Sequence, residues 1–190
     1  MSRHEAPAAD RADPADPPED PEAVARQILL RRLTDQPRSR AELAKALAGK
    51  RVPDDVSTRL LDRFEEVGLV DDAAFARSWV ESRQRGRGLA RRALAHELHR
   101  KGVDNETARA ALDAVAPDEE QETARRLVRR KLPSMARLDR AVAQRRLIGM
   151  LARKGYPPGV ARAVVDDELA AAQAFDDPDP GDGRDESDLP

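Results

Sequence analysis

Residues 68–88 read GLVDDAAFARSWVESRQRGRG, and the apolar spacing inside them decides the class of the fold. Phe75, Ala76, Trp79 and Val80 recur at intervals of three and four, the period of one helix face and not of a strand. The same figure stands 51 residues earlier as Val24, Ala25, Ile28 and Leu29. It returns 52 residues later as Leu127, Val128 and Leu132, with Lys131 in place of an apolar residue at the fourth position.

The chain downstream of each of these segments repeats too. Leu43 and Leu47, Leu94 and Leu98, and Leu147 and Leu151 lie at offsets of 51 and 53 residues. A short break and an apolar residue come next (Val52, Val103, Tyr156), then third segments with Val56 and Leu60, Thr107 and Ala111, and Val160 and Val164. The unit is three helices, repeated three times. The expectation is an all-α chain of three three-helix repeats, 23–70, 71–116 and 117–172, flanked by disordered acidic tails at 1–22 and 173–190. Because each helix has one apolar stripe, neighbouring repeats should share a core by stacking into an elongated tandem array.

Helix punctuation agrees with these boundaries. Ser39-Arg40-Ala41-Glu42 has the form of a capping box, and Asp104 and Asp118 stand where later helices begin. Pro158 suits a first helical position; Gly102 and Gly155 suit C-terminal caps after Lys101 and Lys154. Asp71 and Asp72 read the same way. Adjacent carboxylates at a helix start diverge, so one caps the helix and both meet its positive end, and no acid–base dyad results.

Charge is segregated. Residues 1–22 hold seven acids and two bases, residues 176–190 seven acids and one base, and both are rich in Pro and Asp with little apolar surface. Residues 23–175 keep 31 bases against 22 acids, about +9. Cysteine is absent, which excludes disulfides, thiolate metal sites and cysteine nucleophiles. No apolar run reaches the length of a membrane span and no signal-peptide pattern opens the chain, so the expectation is a cytoplasmic protein with no membrane contact.

Other motifs reduce to structure. His96, Glu97 and His99 lack the zinc-protease spacing and share an outer face with Arg92, opposite Leu94 and Leu98. Arg85-Gly86-Arg87-Gly88 is neither a P-loop nor a dinucleotide fingerprint; it reads as a helix end and turn, either a solvated linker or a flexible basic contact element. Trp79 and Phe75 fall on the buried stripe, which leaves Tyr156 as the aromatic for base stacking. No catalytic, cofactor or metal residues emerge: the expectation is a non-enzyme without cofactors.

The basic residues do point outward to a partner. Arg77 to Lys101 holds eight bases and two acids; Arg125 to Lys154 holds eleven bases and one acid. One-signed segments in two adjacent repeats make an extended positive surface suited to an acidic protein groove or a phosphate backbone. The candidates for that surface are Arg83, Arg85, Arg87, Arg91, Arg92, Arg125, Arg126, Arg129, Arg130, Arg145 and Arg146. They are inferred from charge clustering alone.

GLVDDAAFARSWVESR, a basic glycine turn and LAHELHRKGV together resemble the signature of the RecX family of recombinase regulators. The residues that carry the resemblance are Gly68, Asp71, Asp72, Phe75, Glu97, Leu98, Lys101 and Gly102. RSRAELAKAL and RRLIGMLARKGYPPGVARAV resemble the family's first and last segments, so the likeness covers about residues 24–170. Leu69-Val70 and RGRGLA depart from it where many relatives carry an aromatic residue or a proline. The resemblance implies a modular helical protein that lies along the RecA filament groove and restrains recombinase, ATPase and coprotease activity in DNA repair and recombination, without catalysis; the chain itself is expected to be a monomer. Direct contact with single- or double-stranded DNA stays open beside it, as does the alternative of a sequence-independent DNA-binding helical module.

Overall fold

The computed structural model describes residues 20–176, and all regular structure in that range is helical. The helices are α1 (Pro21–Asp35), α2 (Arg40–Ala48), α3 (Asp54–Glu66), α4 (Asp72–Arg87), α5 (Arg91–Arg100), α6 (Asn105–Asp113), α7 (Pro117–Lys131), α8 (Arg140–Arg153) and α9 (Pro158–Asp176). A single 3-10 turn, Leu132–Met135, joins α7 to the segment before α8. The fold class is therefore all-α, in three-helix groups.

The chain divides into two compact units: one runs up to Ser78 and adds Leu98–Ala108, and the other comprises Trp79–Glu97 and the chain from Arg109 onward. In the first unit α1, α2 and α3 pack on one another around Leu29, Leu43, Leu47, Val52, Leu61 and Phe64. Leu29, Leu43, Leu47 and Val52 are positions that the helical period selects; Leu61 and Phe64 join them from outside that pattern, and Val24, Ile28 and Val56 of the pattern are only partly buried. In the second unit α7, α8 and α9 enclose Val128, Leu147, Leu151, Val164 and Val165, and Ala90 belongs to the same core.

Helix ends obey local chemistry. The Asp20 carboxylate accepts from the Ala23 N–H and Pro21 occupies the first turn, so α1 begins at Pro21, ahead of the tail boundary expected at 22. At the other end α9 runs through its alanine-rich segment to Asp176, beyond the expected start of the tail at 173. The remainder of both expected tails lies outside the described residues. Asp71 caps α4 by accepting from the Ala74 N–H at 2.8 Å, and Asp104 accepts from Glu106 and Thr107. Those bonds, Thr107's foremost, hold the Asp104 carboxyl below its ordinary value. Asp118 is not a cap. Pro117 sets the first turn of α7, the cap position falls on Ala116, and Asp118 lies inside the helix beside Glu119 and Glu120.

Two further contacts recur in repeat register. Arg40 reaches Asp62 and Glu65, each at 2.6 Å; Arg91 reaches Asp113 at 2.7 Å; Gln144 donates to Asp166. Each links the start of a group's middle helix to its third helix.

The second is a joint. In the first unit, the turn Lys101-Gly102 seats on the N-terminus of α2. The Ser39 hydroxyl donates to the Lys101 carbonyl at 2.6 Å, while Lys101 Nζ pairs with Glu42 at 2.6 Å. Ser39 is fully buried and still completes the capping box with Glu42. Gly102 has φ +76°, and a Cβ there would lie 2.3 Å from the Ala41 Cβ. In the second unit Lys154-Gly155 seats on the N-terminus of α5 in the same manner: the Ala90 N–H donates to the Lys154 carbonyl at 2.9 Å. Gly155, at φ +92°, leaves 2.6 Å between the position of a Cβ and the Ala93 nitrogen.

Both glycines thus answer a left-handed backbone and a close approach at once, against the Ala41 methyl at Gly102 and against the Ala93 backbone at Gly155. Gly155→Ala should destabilise the fold by well over the ~1 kcal/mol of a simple propensity change, because the added methyl meets backbone that cannot retreat. A urea melt in which Gly155→Ala matches the parent would refute the joint; Gly159→Ala, where a Cβ meets nothing within 4 Å, is the control.

Candidate functional site

The last turns of α4 and the middle of α7 flank a concavity of about 450 Å³ in the second unit, lined by Arg85, Arg87, Arg126, Arg129 and Arg130. Helical spacing explains the arrangement. Thr123 and Leu127 face inward from α7, and Arg126 and Arg130, three residues further along from each, flank them at the rim. Further back along the same helices, Glu81, Glu119 and Glu122 line a neighbouring concavity, so the positive surface ends there.

The turn after α4 is tied by two hydrogen bonds to the segment that follows α8. The Tyr156 hydroxyl donates to the Gly88 carbonyl at 3.2 Å, and Lys154 Nζ donates to the Arg87 carbonyl. Tyr156 is 3% exposed, so it is not available for stacking on a base. Its burial pushes the phenol up from 10.0 to about 12. Trp79 departs from the buried stripe: it is half-buried, and its indole N–H donates to Glu97 at 2.9 Å. Glu97 also accepts from Arg83 Nε at 3.1 Å, and the Arg83 guanidinium lies 4.0 Å over the indole ring. The HELH segment thus splits, with His96 and His99 exposed and Glu97 turned inward.

The predicted arginines fall into two classes. Several are engaged by carboxylates. Arg83 binds Glu97, Arg85 binds Glu81, Arg91 binds Asp113 and the Val115 carbonyl, and Arg125 lies 3.9 Å from Glu122. Arg129 makes a bidentate bond to Glu168, at 2.8 and 2.9 Å. Glu168 is 7% exposed, so Arg129 neutralises a buried charge, and that contact raises the Arg129 pKa. Others hold no carboxylate: among the described residues Arg92, Arg130, Arg145 and Arg146 have no ion pair, and Arg126 has only the Thr123 hydroxyl.

Lys154, absent from the charge-clustering set, belongs with them. Burial lowers its pKa, and Arg130 and Arg87 lower it further. Of these three cations only Arg87 faces a carboxylate among the described residues, Glu97 at 3.8 Å. Like charges crowded this way gain from an anion, whether phosphate or carboxylate. The Lys-Gly-apolar recurrence at 101–103 and 154–156 was the signal that could have placed Lys154 in a structured turn. Asp72 has a local role: its carboxylate accepts the Arg40 N–H at 2.7 Å, and burial chiefly raises its pKa.

Models of the first, second and third three-helix domains of RecX match residues 25–64, 71–112 and 118–165. A Regulatory protein RecX from Thermobifida fusca is 53% identical over 162 residues, which cover 85% of this chain and 88% of that protein. The chain belongs to the RecX family. Regulatory protein RecX from Streptomyces coelicolor is 54% identical over 74% of this chain and 75% of its own, and that of Mycobacterium avium is 50% identical over 79% and 87%. Two solved structures share the fold. RecX from Lactobacillus salivarius superposes with a TM-score of 0.72 at 17% identity, over 79% of this chain and 97% of that one. A second structure, of a regulatory protein RecX, gives 0.69 at 22% identity, over 77% and 72%. Like its relatives, this RecX-family chain is placed among regulatory proteins, and no described helix is long and apolar enough to cross a membrane.

Tyr156 is the one tyrosine of this RecX-family chain, so a phenolate absorbance titration reads it alone. The native midpoint should sit near 12. Since the folded pKa is raised, the associated stability is fully present below pH 10 and is lost as the pH climbs towards 12. A native midpoint at the ordinary 10.0 would mean that the phenol is not buried as the structure has it.

Proposed function

We propose that this chain is a non-enzymatic, monomeric, cytoplasmic regulator that binds the RecA recombinase filament along its groove and mostly restrains its recombinase, ATPase and coprotease activity. Family membership across all three helical domains supports the reading. The observation that carries it to particular residues is the crowding of Arg87, Arg130 and Lys154 beside a concavity flanked by Arg126. A regulator that works by lying on a nucleoprotein filament needs cations that internal carboxylates have not already consumed.

In this mechanism Arg126, Arg130 and Lys154 contact acidic side chains of the recombinase or the phosphates it carries, and Arg92, Arg145 and Arg146 extend the contact. Arg83, Arg91 and Arg129 act through the fold, holding Trp79, α6 and Glu168 in place. Binding across neighbouring protomers would stiffen the filament and slow the nucleotide cycle without a catalytic group from this chain.

The test is ATP hydrolysis by the cognate recombinase on single-stranded DNA as this protein is titrated in. Hydrolysis should fall, and Arg126→Glu with Arg130→Glu should raise the concentration for half-inhibition by about tenfold, the equivalent of ~1.4 kcal/mol, at unchanged helical content. Equal inhibition by the variant would move the contact away from the groove. No inhibition, together with tight salt-sensitive binding to bare DNA, would favour a sequence-independent DNA-binding module instead.

A further inference from the structure

A second concavity, of about 340 Å³, lies on α8, well apart in sequence from the α4 turn, and its charged lining is of one sign. Lys131, Arg145, Arg146 and Arg153 line it over Met135 and Met150. All four cations are exposed, none has an ion pair among the described residues, and no carboxylate lines the hollow. The α4/α7 concavity differs: Arg85 there already pairs with Glu81, and Arg129 with Glu122 and Glu168.

The same chain carries an acidic stretch beyond α9. Helix α9 runs back along α8, and Gln173 near its end accepts from Arg140 at the start of α8. The chain therefore leaves Asp176 beside the first turn of α8. Arg145 to Arg153 lie five to thirteen residues beyond Arg140, about 8 to 20 Å along the helix axis. Residues 177–190, DPDPGDGRDESDLP, number fourteen and can span up to about 46 Å. They carry six acids, Asp177, Asp179, Asp182, Asp185, Glu186 and Asp188, against Arg184 alone. Reach and charge both fit.

We propose that segment 177–190 docks its carboxylates in the α8 concavity of its own chain and so screens those four cations from external polyanions. Tethering sets the effective concentration of the segment in the millimolar range, enough for weak individual contacts to hold. The proposal does not depend on the recombinase reading, since it concerns contacts within one chain.

A water-soluble carbodiimide tests it on the full-length protein. The reagent joins a carboxylate to an amine with loss of water only where the two touch, and Lys131 is the one lysine at this concavity. Peptide mapping of the monomer should find Lys131 coupled to acids of 177–190, with the product lost at high salt and in Arg145→Gln/Arg146→Gln/Arg153→Gln. Circular dichroism on that variant checks that the helices are intact. Coupling of these acids chiefly to Lys45, Lys50 or Lys101, coupling at Lys131 only between chains, or a yield at Lys131 indifferent to the triple substitution would each overturn the proposal.

Discussion

Two glycine turns carry the architecture. Lys101-Gly102 on the N-terminus of α2 and Lys154-Gly155 on the N-terminus of α5 bring a helix C-terminus against the start of the corresponding helix of the preceding group. Contact at this range is open only to a residue without a Cβ in a left-handed conformation, so the spacing of Gly102 and Gly155 sets the register of the helices around them. The capping box of α2 is built into the same contact, because Ser39 and Glu42 both turn to Lys101 while satisfying the helix end. Capping and joining are one interaction there.

That economy also sorts the charges. A chain with 34 lysines and arginines offers many apparent contacts, yet a good share of them complete the fold. Arg40, Arg91 and Arg129 hold third helices in place, and Arg83 caps the indole of Trp79. What is left over gathers at the α4 turn and on α8, where the local carboxylates are few or missing. The electrostatic character of each surface thus depends on which cations the helix packing has already used.

Period and caps were legible in the chain because they are local. The recurrence of Val24 to Leu29 in Phe75 to Val80 reports helices, and Ser39, Asp71, Asp104, Gly102 and Gly155 mark their ends through bonds spanning a few residues. Asp118 misled because a proline one residue earlier had already begun the helix. The site was less legible. Arginines within i and i+4 of an acid can be discounted from sequence, but Arg129 meets Glu168 across 39 residues and Arg91 meets Asp113 across 22. Tyr156 resembled an available aromatic until its hydroxyl was found on Gly88, 68 residues away. The repeat register held part of the answer, since Arg40–Asp62 and Arg91–Asp113 occupy equivalent positions in successive repeats.

The two joints will drift differently under mutation. At the first, the acceptor carbonyl of Lys101 is met by a hydroxyl, so position 39 is restricted to residues that can both cap a helix and donate from a short side chain. At the second, the carbonyl of Lys154 is met by the main-chain N–H of residue 90, which any residue except proline supplies; only volume confines that position, now a fully buried alanine. One contact is inherited through chemistry and the other through size. A lineage could therefore enlarge the side chain at 90 by shrinking its neighbours, whereas a change at 39 would have to find a new donor in the same step.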